Sequence, residues 1–191
     1  MTGVVSTQSE FRRPSPLAVG TMVWLASELM FFGGLFASYF TIRAQTPVWP
    51  PPGVHLEVLR DGLFTIVLVA SSFTMQIGTR HLERGNRPLA RRWIVVTLVL
   101  GMVFLANQMV EWYTLDFTAT THAYGSLFFA MTGFHGLHVA LGLAVMVALL
   151  GRIIGPGPDP GDHAAAEVIT YYWHFVDVVW LALFAIIFLL Q

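Results

Sequence analysis

Five apolar runs dominate this sequence, and each is close to the length needed to cross a bilayer. Roughly 20 mostly apolar residues span the hydrocarbon core as a helix. The runs cover residues of about 17–42, 62–79, 93–110, 123–151 and 168–190. A backbone inside lipid must satisfy its own hydrogen bonds, so each run is predicted to be helical. The sequence therefore predicts an all-α, polytopic membrane protein, a bundle of five transmembrane helices forming a single domain over residues 1–191.

Composition agrees with a membrane protein and excludes several classes of function. Hydrophobic residues make up 55% of the 191 residues and charged residues only 11%, with a formal net charge of −1. Such a chain offers no basic surface for nucleic acid. Because cysteine is absent, disulfides, thiolate metal sites and iron–sulfur clusters are excluded.

Arginine placement predicts how the bundle is oriented. Arg12 and Arg13 precede the first apolar run, which is too long for the roughly 7–15-residue core of a cleaved signal peptide, so we expect a retained helix. With five helices, eight arginines fall on one side and two on the other. The positive-inside rule then places the N-terminus in the cytoplasm and Gln191 on the outer face. The eight are Arg12, Arg13, Arg80, Arg84, Arg87, Arg91, Arg92 and Arg152; the two are Arg43 and Arg60.

A few ionisable residues interrupt the apolar runs near mid-depth. They are Glu28 in the first, His135 and His138 in the fourth, and His174 and Asp177 in the fifth. A charge at a helix centre costs about 2.5–3.5 kcal/mol on insertion scales. Each group is therefore expected to have a partner or to be uncharged, and partners across helix interfaces would form a buried polar framework.

The chemistry of these groups leaves alternatives open. The histidines are either hydrogen-bonded struts between helices or ligands of a haem or metal, for which histidine is well suited. Glu28 is either a proton-relay carboxyl or a protonated group that faces lipid or the fourth helix. Gly133 and Gly136 flank His135 and are predicted to let another backbone approach.

Two further sets of side chains complete the candidate residues. Asn107, Gln108 and Glu111 form a polar end of the third helix towards the outer interface. Aromatic residues are abundant, and packing or an interfacial belt is their ordinary role. For Phe31, Phe32 and Trp173, contact with lipid acyl chains is the alternative role.

Three motifs resemble the subunit III family of cytochrome c oxidases. The run from Tyr124 to Val139, with Gly-Phe-His-Gly-Leu-His at 133–138, is similar to the family's signature helix. The run from Tyr172 to Trp180, Tyr-Trp-His-Phe-Val-Asp-Val-Val-Trp, resembles the family's last helix. Ser27-Glu28-Leu-Met-Phe-Phe32 looks like its acidic helix. The motifs occur in family order, and this chain matches the five-helix bacterial form, which lacks the first two helices of longer members.

The resemblance implies a function that composition does not. It implies a non-catalytic subunit of a proton-pumping aa3-type cytochrome c oxidase, which reduces oxygen to water in a bacterial inner membrane. Catalytic, metal-binding and cofactor-binding residues are then expected to be absent from this chain, with haem and copper held by subunits I and II.

The implied role is support of stability, phospholipid binding and proton uptake, and a larger respiratory supercomplex is a further expected partner. Subunit III of a quinol oxidase is the near alternative. A relative associated with nitric oxide reduction and an independent haem-binding membrane oxidoreductase are more distant ones.

Overall fold

Five long helices account for nearly all of the residues that the structure describes. The structure is a computed structural model, and it describes residues 16–155, 157 and 161–190. Arg12, Arg13, Gln191 and most of the Pro–Gly connection before the last helix therefore lie outside the described residues. Each helix is long and apolar enough to cross a membrane, which confirms the predicted all-α, five-helix architecture. The helices are α1 (Pro16–Gln45), α2 (Val58–Glu83), α3 (Arg87–Thr114), α4 (Ala123–Ile154) and α5 (Gly161–Phe184), and α5 continues into a π-helical turn (Ala185–Leu189).

Every helix is longer than its apolar run, because helical hydrogen bonding continues into polar residues at the membrane surfaces. The largest extension is at the start of α5, which begins at Gly161 rather than near residue 168. At the start of α3, the Asn86 side chain accepts a hydrogen bond from the Leu89 amide at 3.3 Å, as an N-cap does. Between α2 and α3, Gly85 adopts φ +76°, a left-handed conformation that glycine permits without strain.

The bundle is built around α5, and α1 lies at its edge. Helix α5 packs against α2, α4 and α1, while α1 packs mainly against α5 and α4. Half of the most apolar 18-residue window of α5 is buried, against 6% of the corresponding window of α1. Most of α1 therefore presents its apolar surface outward, to lipid or to another protein.

Trp173 fills the centre of the bundle and sets the spacing of three helices. It is fully buried, and its indole Nε1 donates to Ser71 Oγ on α2 at 2.9 Å. A Cβ at Gly142 on α4 would lie 2.7 Å from Trp173 Cζ3, and one at Gly101 on α3 would lie 3.1 Å from Trp173 Cη2. The two glycines therefore make room for one indole ring.

The two ends of the bundle differ in their polar chemistry. The arginine end carries the α2–α3 and α4–α5 connections, and the loop end carries residues 46–57 and 115–122. At the arginine end, Arg91 Nε donates to Ile153 O at 3.1 Å, one of the carbonyls at the C-terminus of α4 that has no helical partner. Arg87 donates to Gly157 O and, through Nη2, to Asp162 Oδ2 at 3.0 Å. Arginines of α3 thus hold the last turn of α4 and the first turn of α5.

Candidate functional site: polar contacts between the helices

Glu28 of α1 meets His138 of α4. His138 Nε2 lies 3.2 Å from Glu28 Oε2, and His138 Nδ1 lies 2.7 Å from Phe134 O. A carbonyl oxygen only accepts, so Nδ1 carries a hydrogen. Nε2 then either accepts from a protonated Glu28 or donates to its carboxylate. In both arrangements the pair shares one proton and is neutral overall, which suits its half-buried position.

His135 is more deeply buried than His138 and is surrounded by aromatic side chains. Its side chain is fully buried, with ring centroids 4.8 Å from Trp180 and 6.0 Å from Phe104. Neither ring nitrogen has a hydrogen-bond partner among the described residues. A charged imidazole would be strongly disfavoured there, so His135 acts as a neutral aromatic packing group.

A ladder of side-chain hydrogen bonds joins α2 to α5 along their antiparallel contact. From one hydrogen bond to the next, the residue numbers rise along α2 and generally fall along α5. Each of these residues lies on the face of its helix that contacts the other helix. Hydrogen bonds of this kind hold transmembrane helices together where lipid offers no competing partners. The rungs are Thr65–Trp180 (2.9 Å), Ser71–Trp173 (2.9 Å), Ser72–Asp177, Gln76–His174 (3.4 Å) and Thr79–Thr170 (2.8 Å).

Asp177 is the one carboxyl group in this ladder. Ser72 Oγ donates to its Oδ2, whereas Oδ1 is buried and has no partner in the described part of the chain. The side chain is 5% exposed. Among the described residues, the Ser72 hydroxyl is the one hydrogen-bond donor to this buried carboxyl, and no arginine forms an ion pair with it.

The candidate histidines contact three different neighbours. His138 contacts α1, His174 contacts α2, and His135 packs among rings of α3 and α5. A bis-histidine haem site needs two imidazoles directed at one space, and these contacts do not bring two imidazoles to a common partner. Among the described residues, no group of three or more His, Asp or Glu side chains is arranged to hold a metal ion.

The three aromatic residues expected at lipid lie in different environments. Phe32 and Trp173 are fully buried among protein side chains, so direct lipid contact was the wrong expectation for both. Each sits on the inward face of its helix, which an aromatic count cannot show. Phe31 is 41% exposed and packs edge-on against Phe134, with centroids 4.9 Å apart.

Phe134 borders an apolar groove between α3 and α4. The groove has a volume of about 440 Å³ and runs along Leu105, Trp112 and Gly133. A Cβ at Gly133 would meet only Trp112, at 3.5 Å, and one at Gly136 only Leu105, at 3.8 Å. The expectation that these two glycines admit another backbone is therefore wrong within this chain, because they form part of an open groove. The close approaches on α4 are at Gly125, to the Thr118 carbonyl oxygen, and at Gly142, to the Trp173 ring.

Two polar clusters, one at each end of the bundle, were not predicted as clusters from the sequence. Asp162, in the first turn of α5, accepts from Arg87 and, at 3.2 Å, from Arg152 Nε. At the loop end, buried Asp61 of α2 lies beside Glu111, which had been assigned only to a polar helix end. The signal for Asp162 was an acid followed by an alanine-rich run, which is typical of a helix start.

Comparison with known proteins agrees with the motifs. The sequence model of the family described as "Cytochrome c oxidase subunit III" matches residues 5–191. A protein of Mycobacterium leprae named "Probable cytochrome c oxidase subunit 3" is 47% identical, over 100% of this chain and 96% of its own length. Proteins named "Cytochrome c oxidase subunit 3" from Corynebacterium diphtheriae and a Synechocystis species are 44% and 39% identical. They align with 94% and 90% of this chain, and with 90% and 74% of their own lengths.

Proposed function

The chain belongs to the cytochrome c oxidase subunit III family, and from that premise we propose that it is the non-catalytic subunit III of a proton-pumping aa3-type oxidase. It is a multi-pass membrane protein, and the three relatives described above are bacterial. The proposed complex sits in the bacterial inner membrane and passes electrons from cytochrome c to oxygen. Haem and copper belong to subunits I and II, and this chain contributes stability, bound lipid and support of proton uptake. The observation that carries the proposal is the family match over nearly the whole chain.

Purification of the tagged chain tests its place in the complex. We expect it to co-purify with the haem- and copper-bearing subunits, and we expect the chain separated from them to show no stoichiometric haem absorbance. Oxygen uptake is then measured with reduced cytochrome c and with a quinol as alternative donors. A haem band on the isolated chain would support an independent haem protein instead, and turnover with quinol alone would support the quinol oxidase form.

The proposed orientation places the N-terminus and the arginine end in the cytoplasm. Six arginines of the described residues lie at that end, and Arg43 and Arg60 lie at the other. The chain has no cysteine, so single cysteines report sidedness without background. Glu83→Cys and Asp116→Cys occupy exposed positions at opposite ends. In intact spheroplasts, a membrane-impermeant maleimide should label only Asp116→Cys, and labelling of Glu83→Cys alone would reverse the orientation.

The proposed lipid role rests on the surface near Glu28. Glu28 is half-buried against His138, and Phe31 extends from the neighbouring exposed surface of α1 towards the border of the apolar groove. The volume and the apolar lining of this groove suit an acyl chain.

The Glu28→Ala variant tests this role. We expect it to lose co-purified phospholipid and to shorten the active lifetime of the complex more than it lowers the initial rate of oxygen uptake. Glu83→Ala, at an exposed carboxyl on α2, is the matched control. Loss of most initial activity in an intact Glu28→Ala complex would contradict the supporting role.

A further inference from the structure

A polar vestibule opens at the loop end of the bundle, away from the Glu28–His138 pair. It has a volume of about 370 Å³ and is bordered by His55, Glu57, Arg60, Glu111 and Asp116, together with Thr114 and Leu115. His55, Glu57 and Asp116 are exposed, but Glu111 is only 2% exposed. Glu111 is therefore the buried floor of a space that water can enter.

Glu111 forms a pair with a second buried carboxyl group, that of Asp61. Asp61 is also 2% exposed, and it lies beside Glu111, because its donor Asn107 is one helical turn before Glu111 on the same face of α3. Asp61 Oδ1 accepts from Asn107 Nδ2 at 3.1 Å and from Arg60 Nε at 3.3 Å. Glu111 Oε2 accepts from Gln108 Nε2 at 2.8 Å.

Each carboxyl group retains one oxygen that no described residue satisfies. These atoms are Asp61 Oδ2 and Glu111 Oε1, both buried. Two adjacent carboxylates repel each other, so neighbouring buried carboxyls retain a proton between them. A single proton on the pair would supply the missing hydrogen-bond donor. It would also remove the repulsion between the two carboxylates.

The charges of the neighbouring side chains also indicate one bound proton for the pair. Two ionised carboxylates beside one arginine would leave a net charge of −1 in a buried site, which is costly. Binding of one proton brings the total for Arg60, Asp61 and Glu111 to zero. The titratable group that faces Glu111 from α4 is Tyr124, which is neutral as a phenol and does not alter this sum.

Helix geometry decides which carboxyl group carries the proton. Asp61 lies in the first turn of α2, where the helix dipole favours negative charge. Glu111 lies near the C-terminal end of α3, whose last turn has no basic residue, and there the dipole disfavours negative charge. Asp61 also accepts from two side-chain donors, whereas Glu111 accepts from one.

We propose that Asp61 and Glu111 form a proton-binding site, in which Glu111 holds the proton and donates it in a hydrogen bond to Asp61. The vestibule supplies and removes that proton through water: uptake takes one proton from hydronium, leaves water, and changes the charge of the site from −1 to zero. The site lies at the loop end, opposite the arginine end of the bundle, and stands apart from the proposed support of proton uptake. A metal cation is the competing ligand, because paired carboxylates also attract hard cations.

Infrared difference spectroscopy on the purified complex tests this assignment. The Glu111→Gln minus wild-type spectrum at neutral pH should show the loss of one protonated-carboxyl C=O band. In the wild type, that band should shift after transfer to D₂O, because the vestibule admits water. Asp61→Asn should also change this band, because Glu111 loses both its carboxylate acceptor and the neighbouring negative charge that holds its proton. Glu57→Gln and Asp116→Asn, at exposed carboxyls of the same vestibule, should leave the band unchanged.

Three results would overturn the proposal. A spectrum in which Glu111→Gln removes only carboxylate bands would mean that both acids are ionised. A C=O band that appears only after sodium and divalent ions are removed would mean that a metal cation occupies the pair. If Glu111→Gln does not assemble, the Asp61→Asn spectrum decides: a C=O band identical to that of the wild type would refute the pairing. Because these readouts concern one proton, they remain informative whichever electron donor the complex uses.

Discussion

Gly142→Ala should destabilise the bundle, although alanine is the better helix former. The new Cβ would lie 2.7 Å from Trp173 Cζ3, 2.8 Å from Cε3 and 3.0 Å from Tyr172 Cε1, where carbon atoms pack best at about 3.5–4.0 Å. Trp173 cannot retreat easily, because its indole also touches Gly101 and donates to Ser71. Overpacking of this kind costs about 1–3 kcal/mol, and about 1.4 kcal/mol is a factor of ten in the unfolding equilibrium.

Gly136→Ala is the matched control on the same helix. Its Cβ would meet only Leu105 Cδ1, at 3.8 Å, so the variant should be neutral or gain up to about 1 kcal/mol from helix propensity. The measurement is unfolding of each variant in mixed micelles by a denaturing detergent, followed by tryptophan fluorescence. Equal stabilities for Gly142→Ala and Gly136→Ala would refute the argument that the indole is wedged between glycines.

Three smaller perturbations test other contacts. Thr65→Val keeps shape but removes the acceptor of an indole N–H; we expect a loss of about 0.6 kcal/mol, the average for such bonds in membranes, in the same detergent titration. Asp162→Asn leaves the buried part of Arg87 without its carboxylate and should cost about 1.5–3 kcal/mol, read as a lower thermal midpoint; an unchanged midpoint would mean that solvent replaces the pair. Glu28→Gln can still hydrogen-bond to His138, so its midpoint should stay near wild type while Glu28→Leu lowers it; equal losses would contradict the single-proton description of the pair.

The number of helices could be predicted because lipid imposes a strong and simple constraint. Each span must be long and apolar, so five runs gave five helices. Their ends were underestimated, since the polar turns at the membrane surfaces belong to the helices but not to the apolar runs. The role of Asp162 was not predicted for this reason, because Asp162 lies in the first turn of α5, which the hydropathy criterion excluded.

The pairing of polar side chains was harder to predict, because it depends on how each helix is rotated. Helix α1 is apolar nearly all round and has no polar face to show which side is inward, so Phe32 was wrongly assigned to lipid. On α5, Thr170, His174 and Asp177 mark the face towards α2, and the assignment of Trp173 to lipid overlooked that face. One pattern could have helped: Thr65, Ser72 and Thr79 recur at seven-residue intervals on α2, and all three face α5. Asp61 lies in the same helix, just before that stripe. The partnership of Glu28 with α4 required the packing of α1 itself.

The arginines at the N-terminus of α3 have a second consequence beyond their charge. During membrane insertion, a cationic side chain acts through its sign alone, and a lysine would serve as well. In the folded chain, Arg91 donates to the Ile153 carbonyl in the last turn of α4, and Arg87 bridges to Gly157 and Asp162. If the positive-inside rule orients this chain, the same two side chains act first on its orientation and later on its tertiary structure. An arginine-to-lysine exchange would preserve the orientation of the chain in the membrane but weaken these contacts between helices. It would therefore separate the effect of charge on insertion from its effect on folding.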